Sequence, residues 1–317
     1  MAEFKPPCAR RRGLLARLAS ELAFVLPAFK LTCTGKGLSH LAGRPQVGND
    51  DTQLRMTQAT QKLPVSVCMI SGAEAHRIER ALESVAGWAG EMIVVLNQDV
   101  TDGTEEIARR HGARFFREPW KGFVGQKQSA AEKASQPWLL NLDADEVVPP
   151  ALAQEIAAAI SSPTSPHAAY EFPRCSFYCG RWIHHGDWYP DRVLRLWRRG
   201  AARWTGQDPH AYLEVSGTVG RLRSDLLHQS NESIARQIAK ITPYQTHFVK
   251  QRLARGGSAG FIELTLRPGW RFLRAYFLRL GFLDGWQGFY IAALSSFSTL
   301  TRYAMVREAK EQAARKL

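Results

Sequence analysis

The sequence predicts an α/β fold whose sheet is mainly parallel, and two patterns between residues 63 and 160 indicate it. Four short apolar runs alternate with segments in which apolar residues recur at helical spacing. The fourth run ends abruptly in three acids, Asp143, Asp145 and Glu146. Strands that alternate with helices form a parallel sheet covered on both faces, and its ligands bind beyond the carboxyl ends of the strands. The acids therefore lie at the edge where a binding site is expected.

Each predicted strand is followed by a predicted helix. The strands are apolar or alternating runs at 65–70, 91–97, 113–118 and 137–142. The helices follow at 75–88, 102–112, 124–135 and 149–160. In the first helix Ile78, Leu82 and Val85 have the spacing of one buried face. The second helix has acids early, bases late and Gly112 at its end, as the helix dipole and the C-cap favour.

The segments outside this pattern differ from it in composition. Residues 1–62 are irregular, and we predict an extension outside the core. Residues 161–232 lose the alternation and are rich in aromatic residues and arginine, without a repeat. Beyond residue 232 the chain is predicted to be helical and amphipathic. The predicted parts are therefore an extension at 1–62, an α/β domain at 63–232 and a helical region at 233–317.

The chain is strongly basic. Its 42 Lys and Arg residues exceed its 29 Asp and Glu residues, which gives a net charge of +13 and a pI near 9.8. Such an excess indicates a polyanionic partner: nucleic acid, an anionic membrane surface or a phosphorylated substrate.

The sequence also bears on the compartment. No run reaches the roughly 18–20 apolar residues that a membrane span needs. Near the N-terminus, Arg17 and Glu21 interrupt the apolar segment and no small-residue cleavage site follows, which argues against a signal peptide. The five cysteines are predicted to be free thiols in a reducing compartment. We expect a cytoplasmic protein that adheres to a membrane.

The C-terminal helices carry a pattern typical of membrane surfaces. Arg267, Arg271 and Arg274 fall on one helical face. Apolar and aromatic residues suited to the interface between water and lipid fall on another face or nearby: Trp270, Leu273, Tyr276, Phe277, Leu280, Trp286, Phe289 and Tyr290. The alternative is that these helices pack their apolar side on the rest of the protein. We expect contact with an anionic membrane surface at the inner face of the cytoplasmic membrane.

The acids after the fourth strand have a specific chemical use. Asp143 and Asp145, one residue apart on a loop, can hold one hard divalent cation, Mg²⁺ or Mn²⁺, through oxygen. Such a cation bridges a diphosphate and neutralises it as a leaving group. The alternative is helix capping and solvated charge. A phosphatase with an aspartate nucleophile is disfavoured, because its Asp-x-Asp follows the first strand; no Gly-rich phosphate loop occurs either.

Several long motifs, in order, resemble one enzyme family. They are "VSVCMISGAEAHRIERALESV", "EMIVVLNQDVTDGTEEIARRHGARFFREPWKGF", "LNLDADE", "GRWIHHGDWYPDRVLRLWRRGAARW", "LLHQS" and "GFLDGWQGFYIA". Together they resemble the inverting GT-A glycosyltransferases of family two, above all the bacterial branch that adds glucose to lipopolysaccharide core heptose. The resemblance covers about residues 63–305. It implies a GT-A fold, which is Rossmann-like, a nucleotide-sugar donor such as a UDP-sugar, and a metal-assisted attack with inversion.

The resemblance implies a role for five residues in binding the nucleotide sugar. Ser71 and Glu74 would touch the nucleotide from the loop after the first strand. Asn97 would face the base, where the family usually has an aspartate. Lys127 would border the donor pocket, and Asp143 would contact the ribose.

The resemblance also implies the metal ligands, Asp145 and His228 of "LLHQS". Two departures from the family pattern bear on the donor. The family's Asp-Ser-Gly-Ser-Thr-Asp is "NQDVTD" at 97–102, which loses the first acid, and an Asn has a different donor and acceptor pattern. The family's Thr-Lys-Asn-Glu is "SGAE" at 71–74, which removes a basic residue near the phosphates.

Inversion needs a general base that takes the proton of the acceptor hydroxyl. The family places an acid some distance after the metal motif, and Asp208 in "GQDPH" falls there. Asp191 in "WYPDR" and Asp187 are the competing candidates. The alternative for each is a surface acid paired with nearby arginines. Arginines 192, 195, 198, 199 and 203 alternate with apolar residues as on a half-exposed strand and turn, where they would form a solvated basic face or meet a phosphorylated acceptor.

The resulting hypothesis is an enzyme that transfers a hexose, glucose by resemblance, to a saccharide acceptor. That glycan or glycolipid is expected to be lipid-linked, as in lipopolysaccharide core or another cell-envelope glycan. The basic excess then serves anionic lipid and phosphorylated glycan, and no nucleic acid. The alternatives are a pseudoenzyme that binds a nucleotide sugar without turning it over, suggested by Asn97 and the altered first loop, and a nucleic-acid-binding protein.

Overall fold

The computed structural model describes residues 62–162, 166–208, 210–229 and 233–315. Gln58–Leu317 forms one compact unit. The extension predicted at 1–62 lies, except for residue 62, outside the described residues and stays a prediction. The predicted boundary at residue 232 also lies outside them.

Four parallel strands form one half of the main sheet, as predicted. They are β1 (Leu63–Ser71), β2 (Ala89–Asn97), β3 (Arg114–Glu118) and β4 (Trp138–Asn141). Their order in the sheet is β3-β2-β1-β4. All their carboxyl ends therefore lie at the same edge.

Four helices cover these strands, and each follows its predicted strand. They are α1 (Ile78–Ala86), α2 (Thr104–Arg110), α3 (Gly122–Glu132) and α4 (Pro150–Ser161). Ile78, Leu82 and Val85 are fully buried, which confirms the predicted face of α1. Pro150 stands at the first position of α4, where its missing N–H costs nothing.

Residues 161–232, where no alternation of strands and helices was predicted, form mostly strands in their described part. With β5 (Glu146–Val147), they are β6 (His167–Tyr178), β7 (Arg181–Ile183), β8 (Asp191–Arg198), β9 (Ala202–Gln207), β10 (His210–Val215), β11 (Thr218–Arg221) and β12 (Leu226–His228). The main sheet has the order β3-β2-β1-β4-β8-β6-β12-β5, and β8 is antiparallel to both neighbours. Strands β9 and β10 form a separate antiparallel pair.

The sheet separates two apolar clusters, because successive side chains of a strand point to opposite faces. Val67 and Met69 of β1 belong to the cluster that contains α1 and α4 residues. Cys68 of the same strand belongs to the other cluster, which includes Trp204 of β9. The β9–β10 pair is therefore packed on the second face through α3, and Trp204 is buried.

The C-terminal region is helical, as predicted. Its elements are α5 (Ile234–Ala254), α6 (Phe261–Leu264), α7 (Leu266–Leu273), a π-helical turn (Arg274–Leu278), a 3₁₀ turn (Gly281–Asp284) and α8 (Gly285–Ala314). Within the described part of the chain, no helix is long and apolar enough to cross a membrane.

One buried carboxylate attaches this helical region to the strands. Asp187 lies in the short 3₁₀ turn Gly186–Trp188, and its side chain is only 3% exposed. Its oxygens lie 2.6 Å from Nε of Arg271, 2.6 Å from Nη1 of Arg274 and 3.5 Å from Nη1 of Arg279. Arg271 and Arg274 were predicted on a face for anionic lipid, but both are ion-paired to Asp187.

Candidate active site

A cavity of about 480 Å³ lies at the carboxyl ends of β1, β2 and β4. Seven of the nine residues that the sequence predicts for the site line it. They are Ser71, Glu74, Asn97, Lys127, Asp143, Asp145 and His228. Residues of four separate strand ends meet here because parallel strands bring their carboxyl ends to one edge. Asp208 and Asp191 do not line the cavity.

Asp143 is held between two cations. Its Oδ1 accepts a hydrogen bond from Lys127 Nζ at 2.9 Å, and its Oδ2 lies 2.6 Å from Nη2 of Arg195. Burial alone would raise the pKa of Asp143, but the charges of Arg195 and Lys127 hold it well below its usual range. Burial lowers the pKa of Lys127, and Asp143 opposes that change. Asp143 therefore stays ionised at neutral pH.

Glu146 stabilises the loop after β4 that carries the three acids, which we call the acid loop. Its side chain is fully buried, and its Oε1 accepts from Arg195 at 2.9 Å and lies 3.3 Å from Arg174 Nη1. Its Oε2 accepts from the backbone N–H of Asp143 at 3.0 Å. The crowded acids are stable because arginines of β6 and β8 neutralise two of the three.

The third acid, Asp145, faces the cavity with a histidine beside it. Its Oδ2 lies 3.4 Å from Nε2 of His228 and 3.3 Å from Nη1 of Arg77. The other ring nitrogen of His228, Nδ1, lies 3.1 Å from Ser176 Oγ, which orients the ring. Burial alone would raise the pKa of Asp145, but the hydrogen bond and charge of His228 and the charge of Arg77 lower it.

This pair fits a divalent cation. A carboxylate oxygen and an imidazole nitrogen converge from two elements, and a second oxygen of Asp145 is left for coordination. Asp143 fits less well, because both its oxygens are already bound by Lys127 and Arg195. Asp145 and His228 therefore stay the predicted metal ligands, and Asp143 is left for another contact.

Arg77 is a cavity residue that the sequence analysis missed. It stands immediately before α1 and forms an ion pair with Glu74, with 2.7 Å between Nη2 and Oε1. The loop "SGAE" lacks a base that the family has, and Arg77 restores a cation three residues after Glu74. Its position at the start of a predicted helix, where backbone N–H groups attract anions, was the available signal.

The opposite end of the cavity is suited to a flat ring. Trp120 and Phe123 line it and are 49% and 41% exposed, with ring centroids 4.9 Å apart and an edge-to-face arrangement. Asn97 Oδ1 is buried there and has no hydrogen-bond partner among the described residues. A buried acceptor without a partner costs free energy unless a ligand donates to it. The two aromatic residues stand in "EPWKGF" and were not singled out from sequence.

Arg195 corrects the prediction of a half-exposed arginine face. The residue is only 7% exposed and bridges Asp143 and Glu146. Burial alone would lower its pKa, but the charges of these two carboxylates raise it further above its ordinary value. The other four alternating arginines, Arg192, Arg198, Arg199 and Arg203, are exposed and agree with the prediction.

The candidate bases lie outside the cavity. Asp208 is exposed, and its Oδ1 accepts from the backbone N–H of Val124 at 3.2 Å, at the start of α3 beside the cavity residue Phe123. Gly122, with φ 79°, lets this carboxylate approach the helix, since a side chain there would collide with it. Asp208 stays a predicted base, now with a helix-capping contact.

Among the described residues, Asp191 and Asp187, unlike Asp208, form ion pairs with arginines. Asp191 Oδ2 lies 2.6 Å from Nη2 of Arg174, which also contacts Glu146, so Asp191 lies behind the acid loop. Its side chain is 41% exposed, and it stays a prediction as well. Asp187 is buried and bound by three arginines, so it is poorly placed to receive a proton from an acceptor.

Comparison with known proteins finds a matching family model, related sequences and a similar solved structure. Residues 66–224 match the model of the family described as Glycosyl transferase family 2. The Rhizobium meliloti protein named "Lipopolysaccharide core biosynthesis glycosyltransferase LpsC" is 31% identical over 258 residues, covering 77% of this chain and 94% of LpsC. A Rickettsia felis "Uncharacterized glycosyltransferase" is 29% identical over 260 residues, covering 77% and 89%. The crystal structure of S. aureus TarS 1–349 in complex with UDP-GlcNAc has a TM-score of 0.42 at 13% identity, covering 79% of this chain and 92% of TarS.

Proposed function

The chain belongs to glycosyl transferase family 2, and we propose that it transfers a hexose, specifically glucose, from a UDP-sugar to a saccharide acceptor with inversion. Its α/β architecture is the GT-A fold of that family. The observation that carries the proposal is the cavity in which Asp145 and His228 face Lys127 and Arg77 at the carboxyl ends of parallel strands. Carboxylate, imidazole and cations together suit a diphosphate with a divalent metal ion.

The aromatic end of the cavity would hold the nucleobase. Uracil has a ring N–H that can donate to the orphan acceptor, Asn97 Oδ1, and a flat face that Trp120 or Phe123 can contact. Ser71 and Glu74 line the path from this end toward the acids. The ribose hydroxyls would then reach the Asp143 carboxylate, which is ionised and accepts hydrogen bonds.

Asp145 and His228 would hold the metal ion, Mg²⁺ or Mn²⁺, beside the diphosphate. The ion would supply positive charge that stabilises the leaving diphosphate. Arg77 contributes a further positive charge, and its contact with Oδ2 of Asp145 leaves the other carboxylate oxygen for the metal ion. Ser176 holds the His228 ring in place through Nδ1, so that Nε2 faces the acid.

The transfer itself is a single displacement. The acceptor oxygen forms a bond to the anomeric carbon as the bond from that carbon to the diphosphate oxygen breaks, and UDP leaves with the electron pair. The proton of the acceptor hydroxyl passes to a carboxylate base. We propose Asp208 for this role, because its contact with Val124 places it beside the cavity residue Phe123, with Asp191 as the alternative.

We further propose that the acceptor is lipid-linked and that the enzyme works at the inner face of the cytoplasmic membrane. The C-terminal region exposes many apolar side chains, and we define its apolar face as five of those that are at least half exposed: Trp270, Leu273, Phe277, Leu278 and Trp286. Patches of this kind mark protein or membrane interaction sites. Trp at such a face suits the boundary between water and lipid. The name of the LpsC relative supports a lipopolysaccharide acceptor.

One observation favours a second candidate, a pseudoenzyme. Arg77 contacts Oδ2 of Asp145, and its positive charge beside this carboxylate opposes the binding of a metal ion. If this pair persists when a nucleotide sugar binds, metal-assisted departure of the diphosphate fails. The protein would then bind the donor and release no UDP.

A panel of nucleotide sugars separates these functions. The full chain would be heated with UDP-glucose, other UDP-sugars or GDP-mannose, with and without Mn²⁺, and UDP release would be followed in the presence of a glycolipid acceptor. We expect a Mn²⁺-dependent rise in the midpoint of unfolding with UDP-glucose, and UDP release. Stabilisation without UDP release would indicate the pseudoenzyme. No response to any nucleotide sugar, with tight salt-sensitive binding of arbitrary DNA, would refute the proposal.

A further inference from the structure

A second polar cavity, of about 450 Å³, lies between α7, the π-helical turn and α8. We call it the arginine cavity, because four arginines line it with two hydroxyl side chains: Arg267, Arg271, Arg274, Arg302, Thr299 and Tyr303. The cavity at the carboxyl ends of β1, β2 and β4 is called the donor cavity below. None of the residues that line the arginine cavity belongs to it. From the sequence, Arg267, Arg271 and Arg274 were predicted only to share a helical face.

Positive charges outnumber negative charges around the arginine cavity. Arg271 and Arg274 share the single carboxylate of Asp187 with Arg279. Arg267 lies 3.7 Å from a carboxylate oxygen of Glu263.

Arg302 has no carboxylate within ion-pair distance among the described residues. Its Nη2 donates to Thr299 Oγ1 at 2.8 Å. Its guanidinium lies 5.2 Å from the centroid of the Phe248 ring. Burial lowers the pKa of Arg302, and the nearby charge of Arg271 lowers it further. A half-buried cation beside another cation is stabilised when an anion enters.

Hydrogen-bond donors accompany this charge. Tyr303 OH accepts from Arg267 Nη1 at 3.3 Å, which leaves the phenolic hydrogen free to donate elsewhere. Guanidinium groups bind phosphate oxygens in a bidentate manner, and several of them around one cavity suit a doubly charged group. Trp270 lines the same cavity and also belongs to the exposed apolar face, so a bound phosphate would lie next to that face.

We propose that the arginine cavity binds a phosphate group, presented either by a lipid headgroup or by a soluble phosphate. The site is separate from the donor cavity, so it does not depend on the proposed transfer reaction. Its phosphate would occupy the space that Arg267, Arg271 and Arg302 surround. It would supply the negative charge that Asp187 and Glu263 do not.

The first arm of the test uses inorganic phosphate and the full-length chain. Phosphate affinity would be measured by calorimetry at constant ionic strength for the wild type, Arg302→Gln and Arg307→Gln. Arg307 is the matched control, because it lies on the same helix, carries the same charge and pairs with the exposed Glu311 outside the arginine cavity. We expect Arg302→Gln to weaken binding about tenfold or more, as the loss of a charge-assisted hydrogen bond implies, and Arg307→Gln to leave it unchanged.

The second arm identifies the source of the phosphate. The same proteins would be floated with vesicles of phosphatidylcholine alone or mixed equally with phosphatidylglycerol. A lipid headgroup is supported if Arg302→Gln binds the mixed vesicles more weakly than Arg307→Gln does, while the two variants bind the neutral vesicles equally. Weaker phosphate binding with equal vesicle binding supports a soluble phosphate.

Arg267→Gln keeps the test decisive if Arg302→Gln does not fold. The Arg267 side chain is 54% exposed, so its replacement should preserve the fold, and we expect the same loss of phosphate binding. UDP-glucose stabilisation serves as an internal control, because the donor cavity is untouched. Phosphate and vesicle affinities equal to those of Arg307→Gln in both variants would overturn the proposal.

Discussion

Arg195 and Asp143 form a partly buried ion pair, with 2.6 Å between Nη2 and Oδ2, that joins the antiparallel strand β8 to the loop after β4. The same Nη2 atom lies 2.9 Å from Glu146. One arginine therefore holds two of the three acids of the loop in place, and Asp145 between them is left to face the cavity.

Arg195→Met should destabilise the protein strongly. Methionine fills a similar space, but Asp143 and Glu146 would lose the cation that both of them contact. Removing one partner of a buried ion pair typically costs about 3–5 kcal/mol. Urea unfolding at neutral pH measures this cost. Arg203→Met is the control, since its side chain is 73% exposed and we expect a change within about 0.5 kcal/mol. Equal effects of the two changes would contradict the role of Arg195.

Asp145→Ala should abolish the Mn²⁺-dependent binding of UDP-glucose. The change removes the carboxylate beside His228 and leaves Asp143 with its two cations. Calorimetric titration with and without Mn²⁺ is the measurement. Asp99→Ala, at an exposed turn after β2, removes the same charge away from the cavity and should bind like the wild type. A Mn²⁺ requirement that survives in Asp145→Ala would disprove the metal assignment.

Asp208→Asn should reduce turnover by about 10²–10⁴ without changing donor affinity, as expected for loss of a general base. Asparagine can still accept a hydrogen bond from Val124, so the contact with α3 is preserved. Single-turnover rates and UDP-glucose affinities should be compared with those of Asp191→Asn. If only Asp191→Asn slows turnover, the base belongs to β8. Full activity in both variants would mean that neither acid is the base.

Glu118→Gln should change how stability depends on pH. Its carboxylate lies 2.6 Å from Lys133 Nζ and accepts from Ser129 Oγ. Burial alone would raise the pKa of Glu118, but these hydrogen bonds lower it from 4.5 to about 2. Because the pKa is lowered in the folded state, the carboxylate stabilises the protein above pH 4.5, and this contribution disappears as the pH falls toward 2.

The measurement is the free energy of unfolding in urea across that pH range. We expect a smaller slope for Glu118→Gln than for the wild type. Glu132→Gln, on the exposed side of α3, should keep the wild-type slope. Identical slopes in all three proteins would refute the contribution of Glu118.

The double change Phe277→Ser with Trp286→Ser should weaken binding to anionic vesicles. Both side chains are more than half exposed, so their loss removes apolar area available to lipid without opening the core. Co-sedimentation is the measurement. Tyr212→Ser is the control, because Tyr212 is an exposed aromatic residue on β10, outside the apolar face. Unchanged sedimentation of the double variant would show that this face does not contact lipid.

The sequence predicted the parallel half of the fold well because its signals are local. The apolar runs that became β1 and β4 are buried on both faces, and the helices between them show one buried stripe each. Asp143 and Asp145 were predicted for the same reason, since the end of the fourth strand is readable from the sequence. The other five cavity residues were predicted from the motifs that resemble the family.

The other parts of the fold and of the site depend on contacts between segments that are distant in the sequence. Arg195 reads as an exposed arginine of an alternating strand, and only the pairing of β8 with β4 brings it under the acid loop. Asp187 similarly reads as a candidate base until Arg271 and Arg274 of the C-terminal region surround it. Strands β6 to β12 were not predicted individually, because aromatic residues and arginines interrupt the apolar alternation on which such a prediction depends.

The Asp187 cluster has a consequence for any attempt to divide the chain. A fragment that ends before Arg267 would retain Asp187 without the three arginines that neutralise it. Unfolding of the strands and of the C-terminal helices should therefore occur in one cooperative transition. An exchange of the C-terminal helices between related enzymes should succeed only when the acid and its arginines are exchanged together.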